Sequence, residues 1–134
     1  CQQKKGQLMQ RTDDGGIEQE ILQKGLTAPR VTPKDIEDSI SDEHYFTAAD
    51  GVRGRTPLGL RAFIPPENLS LLTFCVLTLK NGFTVTGESA CASPENFDAE
   101  IGRKIARENA KQKIWPLLGF ELRTKLKNKE LTND

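Results

Sequence analysis

Three basic side chains recur every four residues in the second half of the chain: Arg103, Arg107 and Lys111. On a helix this spacing places them in one row, because residues four apart are neighbours on the helix surface. Such a row suits phosphate binding, since Arg donates bidentate hydrogen bonds and Lys supplies a point charge. Glu100 and Glu108 lie within reach on the same helix, so a solvated face of ion pairs is the alternative interpretation.

Two further side chains complete a candidate ligand site. Asn96 follows Ser93-Pro94, where we predict the start of this helix and where free backbone amides hold anions readily. The alternative role for Asn96 is a local capping contact. Phe83 could stack on a base if it is exposed, or else pack against the helix. The candidate ligand-binding residues are Phe83, Asn96, Arg103, Arg107 and Lys111.

Catalytic and metal-binding patterns cannot be assembled from this sequence. Cys1, Cys75 and Cys91 lack metal-ligand spacing, and the single His44 has no obvious companion ligand. No Ser-His-Asp order, phosphate-binding glycine loop or paired-carboxylate motif is present. We therefore expect a protein that is not an enzyme and that carries no metal and no cofactor.

A β-hairpin is the element that the sequence specifies best. Apolar runs over 71–79 and 83–86 flank Asn81-Gly82, a pair typical of a two-residue type I′ turn. Such a turn places Gly87 opposite Val76, where another backbone can approach closely. It also places the two internal cysteines on opposite faces, which disfavours a disulfide between them.

Helices are predicted on both sides of the hairpin. Short helices are expected from Gly16 and from Pro33 to Ile40, and Tyr45-Phe46-Thr47 could add a third strand. The long helix that opens at Ser93-Pro94 should end or bend at Pro116, before a short final helix. The predicted fold class is α+β: short N-terminal helices and an antiparallel hairpin sheet packed by a long C-terminal helix and a short final helix.

The domain organisation follows from length and local composition. Residues 1–15 are polar and should form a disordered tail, while residues 16–130 should form a single domain. Residues 49–68 are rich in Gly and Pro and predict a long loop. Three arginines in that loop could make it a flap over an anionic ligand, or it is a solvated insertion. These are Arg53, Arg55 and Arg61.

Overall charge and hydropathy exclude several classes of protein. The formal net charge is zero, so long-range attraction to nucleic acid is weak and nucleic-acid binding is not expected. No apolar run approaches the roughly 20 residues that a membrane-spanning helix needs, and no signal-peptide pattern is visible. We expect a cytoplasmic protein of the host cell, without membrane association.

The run CVLTLKNGFTVTGESACASPENFDAEIGRKIARENAKQKIWPLLGFEL resembles a family of small uncharacterised proteins from tailed bacteriophages and prophages, named after two phage gene products. The upstream EQEILQKGLTAPRVTPKDIEDSI is similar to the N-terminal part of that family. The resemblance extends over about Gly16 to Lys127. Where the family usually continues Trp-Pro-Leu with Glu-Gly-Tyr, this chain has Leu118-Gly119-Phe120. The resemblance implies a phage origin and no particular activity.

A weaker resemblance, of residue type and order, is to phage Thoeris anti-defence proteins. It implies an oligomer that sequesters a cyclic nucleotide or ADP-ribose-type immune signal, with Phe83, Asn96, Arg103 and Arg107 in the ligand-holding roles. The leading hypothesis is therefore a phage accessory protein, a homo-oligomer, that acts as a counter-defence sponge. The alternative is a protein–protein interaction module that inhibits or retargets a host protein through the hairpin face and the arginine-bearing loop.

Overall fold

The fold consists of a three-stranded antiparallel sheet with helices around it. The structure is a computed structural model and describes residues 15–60 and 63–132. The helices are α1 (15–23), α2 (Pro33–Ser39), α3 (Ala48–Arg55), α4 (Ala99–Gln112) and α5 (Ile114–Thr132). The strands are β1 (Ile40–Thr47), β2 (Leu72–Leu79) and β3 (Thr84–Ala90), in the order β1-β2-β3. The predicted α+β class is confirmed, and the predicted third strand is β1. The predicted disordered tail lies outside the described residues, apart from residue 15 in α1.

Both predicted N-terminal helices are present. Gly25 follows α1 with φ +66°, and the N–H groups of Gly25 and Leu26 donate to Leu22 and Ile21, the pattern of a Schellman motif. Thr32 and Asp35 form a reciprocal capping box at the start of α2, which carries Pro33 in its first turn. Ile40, predicted as the last helical residue, is instead the first residue of β1.

The hairpin between β2 and β3 closes through three residues, Lys80, Asn81 and Gly82, so the predicted two-residue turn is wrong. The Gly82 N–H donates to the Leu79 carbonyl at 2.8 Å, and the Leu79 N–H donates to the Phe83 carbonyl at 2.8 Å. Among the described residues only glycines have a positive φ, with Gly82 at +90°, so Asn81 cannot occupy a type I′ turn. The loop is a type I turn followed by a left-handed glycine.

The additional turn residue shifts the strand register by one. Gly87 lies opposite Cys75, and not opposite Val76 as predicted. Cys75 and Cys91 therefore lie on the same buried face, and the predicted separation onto two faces is wrong. Both thiols are free. The backbone of Cys91 is paired with Leu71, and at roughly 3.3 Å per residue Leu71 lies about 13 Å from Cys75 along the chain, so the two thiols are too far apart to bond to each other.

Helix α4 packs directly onto the buried face of the sheet. A Cβ added to Gly87 would lie 2.2 Å from the carbonyl oxygen of Ala106 and 2.3 Å from the amide nitrogen of Ala110. The predicted close approach of a helix to Gly87 is thus confirmed. The core consists of Ile36, Cys75, Leu77, Leu79, Val85, Ala106, Ala110 and Ile114. On the opposite face of the sheet, Phe46 and Phe74 stack with their ring centroids 5.5 Å apart.

The two C-terminal helices begin at other residues than predicted. Ser93-Pro94 opens only the 3₁₀ turn Pro94–Asn96, and the Ser93 hydroxyl bonds to the Glu95 carboxylate. Helix α4 begins five residues later, where the Asp98 side chain accepts the Ile101 N–H at 3.1 Å. Helix α5 begins before Pro116, which is tolerated in a first turn, and it spans 19 residues, so it is not short.

The predicted loop over 49–68 is wrong in its first part. Residues Ala48–Arg55 form α3, because Thr47 and Asp50 make a second reciprocal capping box that outweighs the two glycines of this helix. Arg53 and Arg55 lie in its last turn, where cations favour the helix dipole. The 3₁₀ turns Leu58–Leu60 and Glu67–Leu71 follow, and Arg61 lies outside the described residues.

Candidate functional site

Arg107, in the middle of the predicted basic row, is held by carboxylates from two other elements. Its guanidinium donates to both carboxylate oxygens of Glu37 on α2, at 3.0 and 2.9 Å. Its Nε donates to Glu43 on β1 at 2.7 Å. Arg107 therefore connects α4 to α2 and β1, and its side chain is only 26% exposed.

Lys111 joins the same group of charges. Its Nζ lies 2.7 Å from Glu37 and 3.2 Å from Glu108. The hydrogen bonds from Arg107, with a further contribution from Lys111, lower the pKa of Glu37 to about 2. The hydrogen bonds to Glu37, and then the one to Glu43, raise the pKa of Arg107. A phosphate could reach either cation only by displacing the Glu37 carboxylate, so this part of the row is already occupied by the protein itself.

Tyr45 and Cys75 lie next to this group of charges on the buried side of the sheet. Burial raises the pKa of Tyr45 to about 12, and its hydroxyl lies 3.4 Å from the Glu43 carboxylate. Burial also raises the pKa of the Cys75 thiol. A protonated thiol is a poor nucleophile and a poor metal ligand, so Cys75 is part of the core and not a reactive group.

Arg103, the first residue of the basic row, has different surroundings. It is exposed and makes no ion pair within 15–60 and 63–132. It borders a cavity of about 180 Å³ at the first turn of α4, named here the Arg103 cavity. The lining residues are Tyr45, Phe46, Thr47, Asp50, Thr73, Phe97, Ala99 and Arg103. The helical spacing of the basic residues indicated Arg103 as a candidate. No pattern in the sequence predicts that residues from β1, α3 and β2 surround it.

Asn96 and Phe83 lie apart from these cations. Asn96 is exposed on the 3₁₀ turn, where its N–H donates to the Ser93 carbonyl at 3.1 Å, so Asp98 and not Asn96 marks the start of α4. Phe83 lies at the tip of the hairpin and is 55% exposed. The five predicted ligand-binding residues thus occupy separate places, and only Arg107 and Lys111 contact a common group.

Phe83 lines a mostly apolar groove between the hairpin tip and α5, with a volume of about 470 Å³. We name it the hairpin–α5 groove; its lining residues are Leu79, Asn81, Phe83, Leu117, Leu118, Phe120, Glu121, Thr124 and Lys125. Leu117 and Phe120 are exposed and were not among the predicted site residues. The only signal for them in the sequence is that residues 117, 118 and 120 are apolar, which places apolar side chains on more than one side of α5.

Within residues 15–60 and 63–132, no three His, Cys, Asp or Glu side chains come together in a way that could hold a metal ion. None of the helices in the described part of the chain combines the length and the apolar character needed to cross a membrane.

Comparisons with known proteins identify the family to which the chain belongs. Neither the curated proteins nor the solved structures contain a match, and nothing in the comparisons supports the resemblance to Thoeris anti-defence proteins. A family model matches residues 31–126, which extend from the approach to α2 through all three strands and α4 into α5. The chain is therefore a member of the Phage protein (N4 Gp49/phage Sf6 gene 66) family.

Proposed function

We propose that this phage protein acts by binding, without catalysis, and that it holds a host protein in the hairpin–α5 groove. The observation that carries the proposal is the exposure of Phe83, Leu117 and Phe120 around one apolar groove. Large apolar side chains that gather on a surface are typical of sites where another protein binds. The proposed binding site is at the hairpin tip. It does not include the arginine-bearing segment after β1, which the sequence-based alternative also placed in the interaction surface.

The charges of α5 favour a particular kind of partner. From Glu121 to Glu130 this helix carries four cations and two carboxylates, a local net charge of +2. The cations are Arg123, Lys125, Lys127 and Lys129. A partner with an apolar face and acidic flanks would satisfy both the groove and this charge. An amphipathic helix laid into the groove has that combination of surfaces.

A peptide-binding measurement tests this proposal. The probe is a fluorescent 18-residue helical peptide with leucines on one face and glutamates on its flanks, titrated with the whole chain and followed by anisotropy. We expect binding of this peptide, weaker binding when lysines replace the glutamates, and none of a scrambled peptide. Equal binding of the acidic and the lysine peptide, or no binding at all, would contradict the proposal.

Two exposed phenylalanines provide matched variants for that assay. Phe83→Ser alters the groove, whereas Phe63→Ser alters a residue outside it with almost the same exposure, 55% against 54%. Because both side chains are exposed, neither change should unfold the protein. Phe83→Ser should weaken peptide binding about tenfold or more, as expected for an aromatic at the centre of an interface, and Phe63→Ser should not. Equal effects of the two changes would point to non-specific apolar adhesion.

Sequestration of a cyclic nucleotide immune signal is a second candidate function. It is favoured by one observation: Arg103 borders a cavity that Tyr45 and Phe97 also line, and its guanidinium makes no ion pair with any described residue. A sponge should show a higher melting temperature with cyclic nucleotides or ADP-ribose-type signals, and it should release them intact after heat denaturation. An unchanged melting temperature across such a panel, or release of a degraded ligand, would contradict this function.

A further inference from the structure

Thr73, a residue of the Arg103 cavity, carries a buried hydroxyl that has no partner among the described residues. Thr73 is 3% exposed, and its side chain makes no hydrogen bond to any residue that the structure describes. Ser89 lies directly opposite Thr73 in the strand register and is also 3% exposed. The Ser89 hydroxyl likewise makes no hydrogen bond to a described residue. Of these two residues, Thr73 lines the Arg103 cavity and Ser89 does not. Buried polar groups without a hydrogen-bond partner are rare in folded proteins, so we expect the Thr73 hydroxyl to bond to a ligand in the cavity.

The size and walls of the cavity favour a flat ring. A space of about 180 Å³ is close to that of about 150 Å³ known to hold one benzene molecule, so it has room for a single ring system. Tyr45 and Phe97 are aromatic residues of its lining; Phe46 also borders it, but the Phe46 ring stacks on Phe74 on the opposite face of the sheet. Aromatic side chains bind nucleobases by stacking, whatever the base. A complete cyclic dinucleotide is too large to be enclosed there.

The polar groups of the cavity carry both charges. Arg103 supplies a cation that is unpaired within the described part of the chain, beside the first turn of α4, where anions are favoured. Asp50 supplies a carboxylate, of which one oxygen accepts the Thr47 N–H at 3.0 Å. A ligand that suits both must have an anionic group at one end and hydrogen-bond donors on its ring.

From this combination we infer that the Arg103 cavity binds an adenine mononucleotide, with the base beside Tyr45 and Phe97 and the phosphate at Arg103. The exocyclic amine of adenine is the donor for Asp50, and the Thr73 hydroxyl bonds to a ring nitrogen. This inference deepens the second candidate function, because it rests on the same cavity, and it is independent of the hairpin–α5 groove.

Titration calorimetry with AMP, adenosine and inosine monophosphate tests the inference on the ligand side. Adenosine lacks the phosphate, and inosine monophosphate has an oxygen in place of the exocyclic amine. We expect AMP to bind about tenfold or more tightly than adenosine, since a charge-assisted contact is lost, and more tightly than inosine monophosphate. No AMP binding, or equal affinity for all three, would overturn the inference.

Matched variants test it on the protein side. Arg103→Gln should weaken AMP about tenfold and leave adenosine unchanged, whereas Lys104→Gln, the adjacent exposed cation, should leave both within about twofold. Thr73→Val should weaken AMP about fivefold without lowering the melting temperature, while Ser89→Ala, outside the cavity, should not weaken it. Unchanged AMP affinity in both Arg103→Gln and Thr73→Val would overturn the site. AMP binding without any response to cyclic nucleotides would retain the site and refute the sponge.

Discussion

Replacing Arg107 with Met should destabilise the fold, because this side chain joins three elements. Met retains the aliphatic bulk and removes the hydrogen bonds to Glu37 and Glu43. Hydrogen bonds to charged groups contribute about 1.5–3 kcal/mol each when they are well buried. Here the two carboxylates are 45% and 44% exposed, so solvent screening reduces the total. We expect a loss of about 2 kcal/mol, or about 5–10 °C in melting temperature for a chain of this length.

The assay is equilibrium unfolding in urea at pH 7, and the matched control is Lys104→Met. Lys104 pairs with Glu100 at 3.3 Å, but the two side chains are 73% and 70% exposed, so this change should stay within about 0.5 kcal/mol. A result for Arg107→Met that is as small as that of the control would refute the structural role of Arg107.

The pH dependence of the same variant provides an independent check. The pKa of Glu37 is about 2 in the folded chain against an ordinary value of 4.5, so below pH 4.5 the unfolded chain binds more protons. The stabilisation is therefore complete above pH 4.5 and is lost as the pH falls towards 2. The difference between wild type and Arg107→Met should shrink over that interval. A difference that is constant from pH 6 to pH 2 would show that Glu37 is not the partner that matters.

Three further predictions concern the core and the helix ends. Gly87→Ala should cost about 3 kcal/mol or more in unfolding free energy, because its Cβ would meet the backbone of α4 at 2.2 Å; Gly51→Ala, with nothing within 4 Å, should cost nothing. Asp98→Ala should lower stability by about 1 kcal/mol through loss of the helix cap, and an equal effect of Ser93→Ala would contradict the observed start of α4. A spectrophotometric titration should find the pKa of Tyr45 near 12, and a value near 10 would show that its hydroxyl is not buried.

Local signals predicted most of the secondary structure. The start of α2 at Pro33 and the hairpin around Gly82 are set by residues adjacent in sequence, and both were predicted. The capping box formed by Thr47 and Asp50 is equally local. It was missed because the glycines and prolines downstream indicated a loop.

The register and the site could not be derived in the same way. Asn81-Gly82 fits both a two-residue and a three-residue hairpin loop, and one additional residue moves every pairing by one. The helical spacing correctly placed the basic row on α4. It could not show that Glu37 and Glu43, which come from distant elements, neutralise Arg107 and leave Arg103 beside a cavity.

The location of partner binding is tested most directly by NMR of the ¹⁵N-labelled protein titrated with the acidic amphipathic peptide. If the hairpin–α5 groove holds the partner, amide shifts should concentrate at Leu79, Phe83, Leu117 and Phe120 and spare the middle of α4. Shifts that concentrate instead at Phe46 and Phe74, on the opposite face of the sheet, would contradict the proposed function, as would a spectrum that the peptide leaves unchanged.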